Sequence, residues 1–91
     1  MKLVLSKNAN IEIEESKEYY NLQKESLGDE FQRDVKNALN SIVKLPNLYP
    51  NITSNIKRCL LHRFPFSIFY AIREGTIIIL SVAHQHRKPR F

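Results

Sequence analysis

The side chains of this 91-residue chain that could do chemistry are basic and lie in its second half. His84, His86 and Arg87 could supply a general base, a general acid and a positive charge beside a reacting phosphate. Those are the three functions that metal-independent RNA cleavage requires. A wider basic set could bind an anionic partner instead: Lys57, Arg58, His62, Arg63, Arg87, Lys88 and Arg90. The simpler interpretation of all these residues is solvated charge on strand edges and in a tail.

Other kinds of site find little support in the sequence. The two glycines, Gly28 and Gly75, lie outside any phosphate-binding loop motif. The single cysteine, Cys59, excludes an internal disulfide and a cysteine-based zinc site. The histidine pair near the C-terminus has no further metal-ligand candidate nearby except His62. We therefore expect no metal and no cofactor.

The net charge of +5 is distributed unevenly along the chain. Residues 1–45 hold seven Lys or Arg against eight Asp or Glu, a balance of −1. Residues 46–91 hold seven Lys or Arg against one acid, Glu74, a balance of +6. This asymmetry favours an anionic partner, either nucleic acid or an acidic protein segment, although a basic sheet face without a specific ligand would have the same composition.

Two helices are predicted in the first half, after a short strand over residues 2–6. Ser6 offers an N-cap oxygen for a helix over residues 7–25, and a second helix covers residues 29–45 before Pro46 ends it. The second helix has a regular apolar face, formed by Phe31, Val35, Ala38, Ile42 and Leu45. Because the connection is short, the pair forms an antiparallel hairpin.

The second half has the alternation and the continuous apolar runs of β-strands. Strands are predicted over residues 56–63, 66–72 and 76–83, and a tight turn at 73–76 joins the last two. The order β-α-α-β-β-β predicts one α+β domain over residues 1–91, with the helical hairpin packed on a three-stranded antiparallel sheet. The expected core includes Phe31, Val35, Ala38, Ile42, Phe69 and Ile79.

The predicted arrangement leaves one face of the sheet partly apolar, which favours a protein partner there. The longest apolar run, residues 76–83, is too short to cross a bilayer, and the N-terminus lacks the apolar length of a secretory signal. We therefore expect a cytoplasmic protein that does not associate with membranes.

In order and spacing, motifs along almost the whole chain resemble the RelE/ParE superfamily of bacterial toxins from type II toxin–antitoxin systems. The resemblance is closer to the ParE, or plasmid stabilisation, branch. The motifs of the helical half are Ser6 with Ala9, Tyr19-Tyr20, Leu27-Gly28-Asp29-Glu30-Phe31, Ala38-Leu39, Ile42 and Pro46. Those of the second half are Ile56-Lys57-Arg58, Arg63-Phe64-Pro65-Phe66-Ser67-Ile68-Phe69-Tyr70, Ile77-Ile78-Ile79-Leu80, Val82-Ala83-His84 and Arg87-Lys88-Pro89.

This resemblance implies a helical hairpin against an antiparallel sheet, and a cognate antitoxin whose flexible segment wraps the toxin. It also implies growth inhibition and a homodimer or a hetero-oligomer with the antitoxin. The ParE branch targets DNA gyrase without hydrolytic machinery, and that is the activity we expect. RelE-like members instead cleave messenger RNA in the ribosome.

The RelE-like pattern is incomplete in this sequence. Its arginine after the aromatic that opens the third strand is replaced by Ser67, and its C-terminal tyrosine by Phe91. A C-terminal histidine, His84 or His86, could substitute, so the ribosome-dependent endoribonuclease is the alternative. A small basic nucleic-acid-binding module is a second alternative. The sequence argues against it because most aromatics lie in apolar strands rather than among the basic residues.

Overall fold

The computed structural model describes residues 1–89 and contains the six elements that the sequence predicts. They are β1 (Lys2–Leu5), α1 (Lys7–Gln23), α2 (Leu27–Lys44), β2 (Lys57–Leu60), β3 (Phe66–Arg73) and β4 (Thr76–His84). The candidate binding residue Arg90 and the terminal Phe91 lie outside the described residues. Within residues 1–89, no helix has the length and apolar character needed to cross a membrane.

The sheet has four strands in the order β1-β4-β3-β2, one more than the expected three-stranded antiparallel sheet. The β2–β3 and β3–β4 pairs are antiparallel, as predicted. The added strand, β1, runs parallel to β4, with Leu3 opposite Ile77 and Leu5 opposite Ile79. A parallel pair needs a long crossover, and the two helices between these strands supply it.

The helices form one layer against one face of the sheet. The Ser6 hydroxyl accepts a hydrogen bond from the Ala9 amide at 3.0 Å and so caps α1 as predicted. α2 approaches α1 at Gly28, whose amide donates to Asn21 Oδ1 at 2.7 Å. A Cβ at position 28 would overlap the Lys17 carbonyl oxygen, so only glycine permits this approach.

The core lies between the helical layer and the sheet. Of the expected core residues, Phe31, Val35, Ile42 and Ile79 are buried in this layer, and Ala38 is half-buried against it. Phe69 is also buried, but it does not belong to this cluster. It alternates with Ile68 and Tyr70 along β3 and therefore points to the opposite face of the sheet.

Strand β2 is shorter than predicted, because the chain leaves the sheet after Leu60. Residues 61–65 form a loop that two elements hold in place. The Leu61 amide donates to the Phe66 carbonyl at 2.9 Å. Asp34 on α2 accepts from the amides of Arg63 at 2.9 Å and Phe64 at 3.0 Å.

Candidate binding site

The candidate site lies at the end of the sheet where β2 and β4 finish and β3 begins. The segment after β4, residues 85–89, is here called the tail. It starts beside the loop before β3, where the Gln85 amide donates to the Pro65 carbonyl at 2.8 Å. This bond keeps the tail at the sheet end.

A β-bulge changes the direction of the last part of β4. Tyr70 is opposite Ile79 and Phe69 is opposite Ser81, so Leu80 is the extra residue. Glu12 on α1 holds the bulge, because one of its carboxylate oxygens accepts from the Ser81 hydroxyl at 2.8 Å and the Val82 amide at 2.9 Å. The first turns of α1 thus set the direction in which β4 reaches His84.

His84, the last residue of β4, lies beside His86 in the tail. Their ring centroids are 5.3 Å apart, and the His84 ring meets the Phe66 ring edge-on, also at 5.3 Å. The His86 amide donates to His84 Nδ1 at 3.2 Å. Because Nδ1 accepts this bond, a neutral His84 carries its proton on Nε2. The Arg87 amide donates to the His84 carbonyl at 2.9 Å and tightens the turn.

Two grooves flank the tail. The first, of about 740 Å³, lies on the sheet face away from the helices and is called the open-face groove. The second, of about 620 Å³, lies between α1 and the tail and is called the helix-side groove. The open-face groove is lined by Ile52, Arg58, Leu60, Ser67, Phe69, Gln85 and Pro89. The helix-side groove is lined by Glu12, Glu15, Ser16, Tyr19, Tyr20, Phe66, Val82 and Ala83. His84, His86, Arg87 and Lys88 line both.

The fold thus brings together five of the candidate residues: Arg58, His84, His86, Arg87 and Lys88. Within residues 1–89, no carboxylate lies within 4 Å of the three cations in this group, since the ion pairs there are Lys17–Asp29 and Arg63–Glu30. Their positive charge therefore remains available to an anionic partner.

The other described candidates lie away from these grooves. The Lys57 ammonium donates to the Tyr49 carbonyl at 3.2 Å. The Arg63 guanidinium pairs with Glu30 at 2.9 Å, and His62 is exposed in the same loop. The strand predicted over residues 56–63 would include His62, but β2 ends at Leu60, before His62.

Buried titratable groups beneath the sheet have packing roles. The Tyr70 hydroxyl donates to the Pro46 carbonyl at 2.7 Å, and burial raises the pKa of Tyr70 to about 12. Burial also raises the pKa of the Cys59 thiol, which disfavours the reactive thiolate. Neither group lines either groove.

Two comparisons with known proteins agree with this architecture. Residues 3–89 match the family model described as the ParE toxin of the type II toxin–antitoxin system parDE. A solved structure, titled as the chromosomal ParDE TA system from P. aeruginosa, is similar to the chain with a TM-score of 0.83 and 17% identity. The similarity covers 92% of this chain and 95% of the other, and at that identity it shows the fold. A search of curated proteins found no significant match.

Proposed function

This chain belongs to the ParE toxins of type II toxin–antitoxin systems, and from that premise we propose how it acts. It inhibits growth by binding a cellular protein such as DNA gyrase, and a cognate antitoxin neutralises it by covering the basic end of the sheet.

The observation that carries the proposal is the chemistry of the open-face groove. Apolar side chains contribute to it, including Leu60, which is 52% exposed, and Ile52, which is 41% exposed. Arg58, Arg87 and Lys88 supply charge beside them. Apolar contact area bordered by cations that pair with no carboxylate of residues 1–89 suits an amphipathic acidic protein segment.

The same groove offers less to RNA cleavage. Ser67, which takes the place of the arginine in the RelE-like pattern, is only 3% exposed and uncharged. His84 Nδ1 already accepts the His86 amide, so one of its two ring nitrogens is occupied. A nuclease would have to work through His84 Nε2, His86 and Arg87.

Expression of the intact chain in growing bacteria separates the two activities. We expect inhibition of gyrase supercoiling and a DNA-damage response, with no ribosome-dependent messenger fragments. Under the nuclease alternative, His84→Ala or His86→Ala would reduce messenger cleavage by about a hundredfold, the scale of losing a general acid or base. Messenger cleavage that either change abolishes would overturn the proposal.

Charge reversal tests the antitoxin surface. Arg58→Glu should weaken binding of the antitoxin, and the difference from the unchanged chain should shrink as salt is added. Arg63→Glu is the matched control, because Arg63 is equally cationic but pairs with Glu30 outside both grooves. Equal losses for the two variants, or none for Arg58→Glu at low salt, would remove this groove from the antitoxin interface.

A further inference from the structure

The helix-side groove is backed by a series of aromatic rings that the sequence does not show. Rings follow one another from α1 to the tail: Tyr19 to Tyr20 at 5.4 Å, Tyr20 to Phe66 at 6.1 Å, and Phe66 to His84 at 5.3 Å. His86 continues the series 5.3 Å beyond His84. Tyr19 is 58% exposed and His86 is exposed, so the two ends of this series face solvent.

The two walls of the groove differ in charge. The α1 wall carries the exposed carboxylate of Glu15 beside Tyr19, whereas the tail wall carries Arg87 and Lys88. The other acid, Glu12, already accepts from the Ser81 hydroxyl and the Val82 amide. A ligand lying across the groove therefore meets hydrogen-bond acceptors and aromatic rings on one side and cations on the other.

From this geometry we propose that the helix-side groove binds single-stranded nucleic acid, with a base stacked on Tyr19 and backbone phosphates at Arg87 and Lys88. A nucleotide has the matching polarity, because its base offers N–H donors and a flat π face while its phosphate is anionic. An acidic peptide could pair with Arg87 and Lys88, but its carboxylates would be repelled by Glu15 and offer no flat π face to Tyr19. In a duplex the base faces are covered, so a single strand is the preferred form.

Binding to the isolated chain, without gyrase or antitoxin, tests this proposal independently of the toxin's target. The probe is a fluorescein-labelled ten-nucleotide single strand of mixed sequence, measured by anisotropy against its own duplex. We expect the single strand to bind more tightly. Tyr19→Ala should weaken it about tenfold, the scale of losing one stacked base, and Tyr19→Phe should retain binding.

Two further variants complete the test. Leu22→Ala is the matched control, since Leu22 is a 79% exposed side chain on α1 that does not line the groove. Replacing Arg87 and Lys88 together by Gln should reduce the slope of log affinity against log salt by about 1.4, for two lost phosphate contacts. Equal affinity for duplex and single strand, an unchanged affinity in Tyr19→Ala, or binding of an acidic peptide alone would each overturn the proposal.

Discussion

Asp34 is a single buried carboxylate that fixes a loop from a neighbouring element. It is 5% exposed, and one of its oxygens accepts from the amides of Arg63 and Phe64. Asp34→Ala removes both acceptors and leaves two backbone donors without partners. We expect the free energy of unfolding to fall by about 2–3 kcal/mol, measured by urea denaturation.

Asp29→Ala is the control for this change. Asp29 lies near the start of the same helix, is exposed, and contacts Lys17 only at 3.9 Å. Its replacement should change stability by less than about 0.5 kcal/mol. Similar losses in the two variants would mean that helix charge, rather than the loop contacts of Asp34, accounts for the effect.

The buried phenol of Tyr70 should make the protein less stable at high pH. Burial raises the pKa of this phenol to about 12 from the usual value near 10, so the folded state holds its proton where the unfolded chain releases it. The stabilisation is complete below pH 10 and disappears as pH rises toward 12. We expect unfolding free energy to fall across that range, and to fall less steeply in Tyr70→Phe.

The unfolding free energy of Tyr70→Phe should still fall somewhat as pH rises, because burial also raises the pKa of Tyr20 and Tyr49. At neutral pH the variant should lose about 1 kcal/mol, since the Pro46 carbonyl loses its donor. Tyr19→Phe, on an exposed ring, provides the baseline. An identical pH slope for the unchanged chain and Tyr70→Phe would show that this phenol does not control alkaline stability.

At the scale of residues, the sequence shows which acids are present but not which donors they accept hydrogen bonds from. Helical position alone favours solvated charge for the acids of the first half, but Asp34 is buried and Glu12 accepts hydrogen bonds from β4. Their hydrogen-bond partners lie 29 and 70 residues away in the chain. Helical position indicates a charge's local environment but contains no information on such distant donors.

At the scale of elements, the closest approach of the two helices depends on Gly28. Gly28→Ala should destabilise the protein by about 1–3 kcal/mol, because the Lys17 carbonyl and the Asn21 side chain must move to admit a methyl group. Asn40→Ala, at an exposed position in α2, should be neutral or slightly stabilising. Urea denaturation checks both, and a Gly28→Ala variant as stable as Asn40→Ala would show that the helices can separate freely.

The elements themselves could be predicted well, because periods of 3.6 and two are local properties. The pairing of β1 with β4 could not be predicted, since each of the four residues of β1 lies more than 70 positions from its partner in β4. The bulge at Leu80 could not be predicted either, because the four apolar residues 77–80 show no alternation from which a change of register could be read. That bulge matters for the site, because it sets the direction of β4 as it approaches His84.

At the scale of the whole molecule, folding divides the basic half into two populations. Lys57 and Arg63 contact neighbouring elements, whereas Arg58, Arg87 and Lys88 gather around the two grooves. The sequence predicts the total charge and names these residues, but spacing does not indicate which of them converge. The sequence does not predict the helix-side groove, because this groove depends on the position of α1 beside the tail.

The tail contributes two cations, Arg87 and Lys88, to both grooves, and neither side chain is buried in the core. Arg87 and Lys88 are exposed, and the hydrogen bond from the Arg87 amide to the His84 carbonyl is local. Deleting residues 87–91 should leave the domain folded, because its core lies between the helices and the sheet. Growth inhibition should nevertheless be greatly reduced, because the deletion removes two of the three described cations that border the open-face groove.

A full-length variant with Arg87→Gln and Lys88→Gln separates charge from chain length in this experiment. If cationic contacts with the target are what the tail supplies, this variant should be about as weakly toxic as the truncated chain. Full toxicity in the Gln variant together with none in the truncation would assign the role to what else the deletion removes, which is the chain itself with Arg90 and Phe91. Undiminished toxicity in both would mean that the target binds elsewhere on the molecule. Urea denaturation of each variant shows that a loss of toxicity is not a loss of folding.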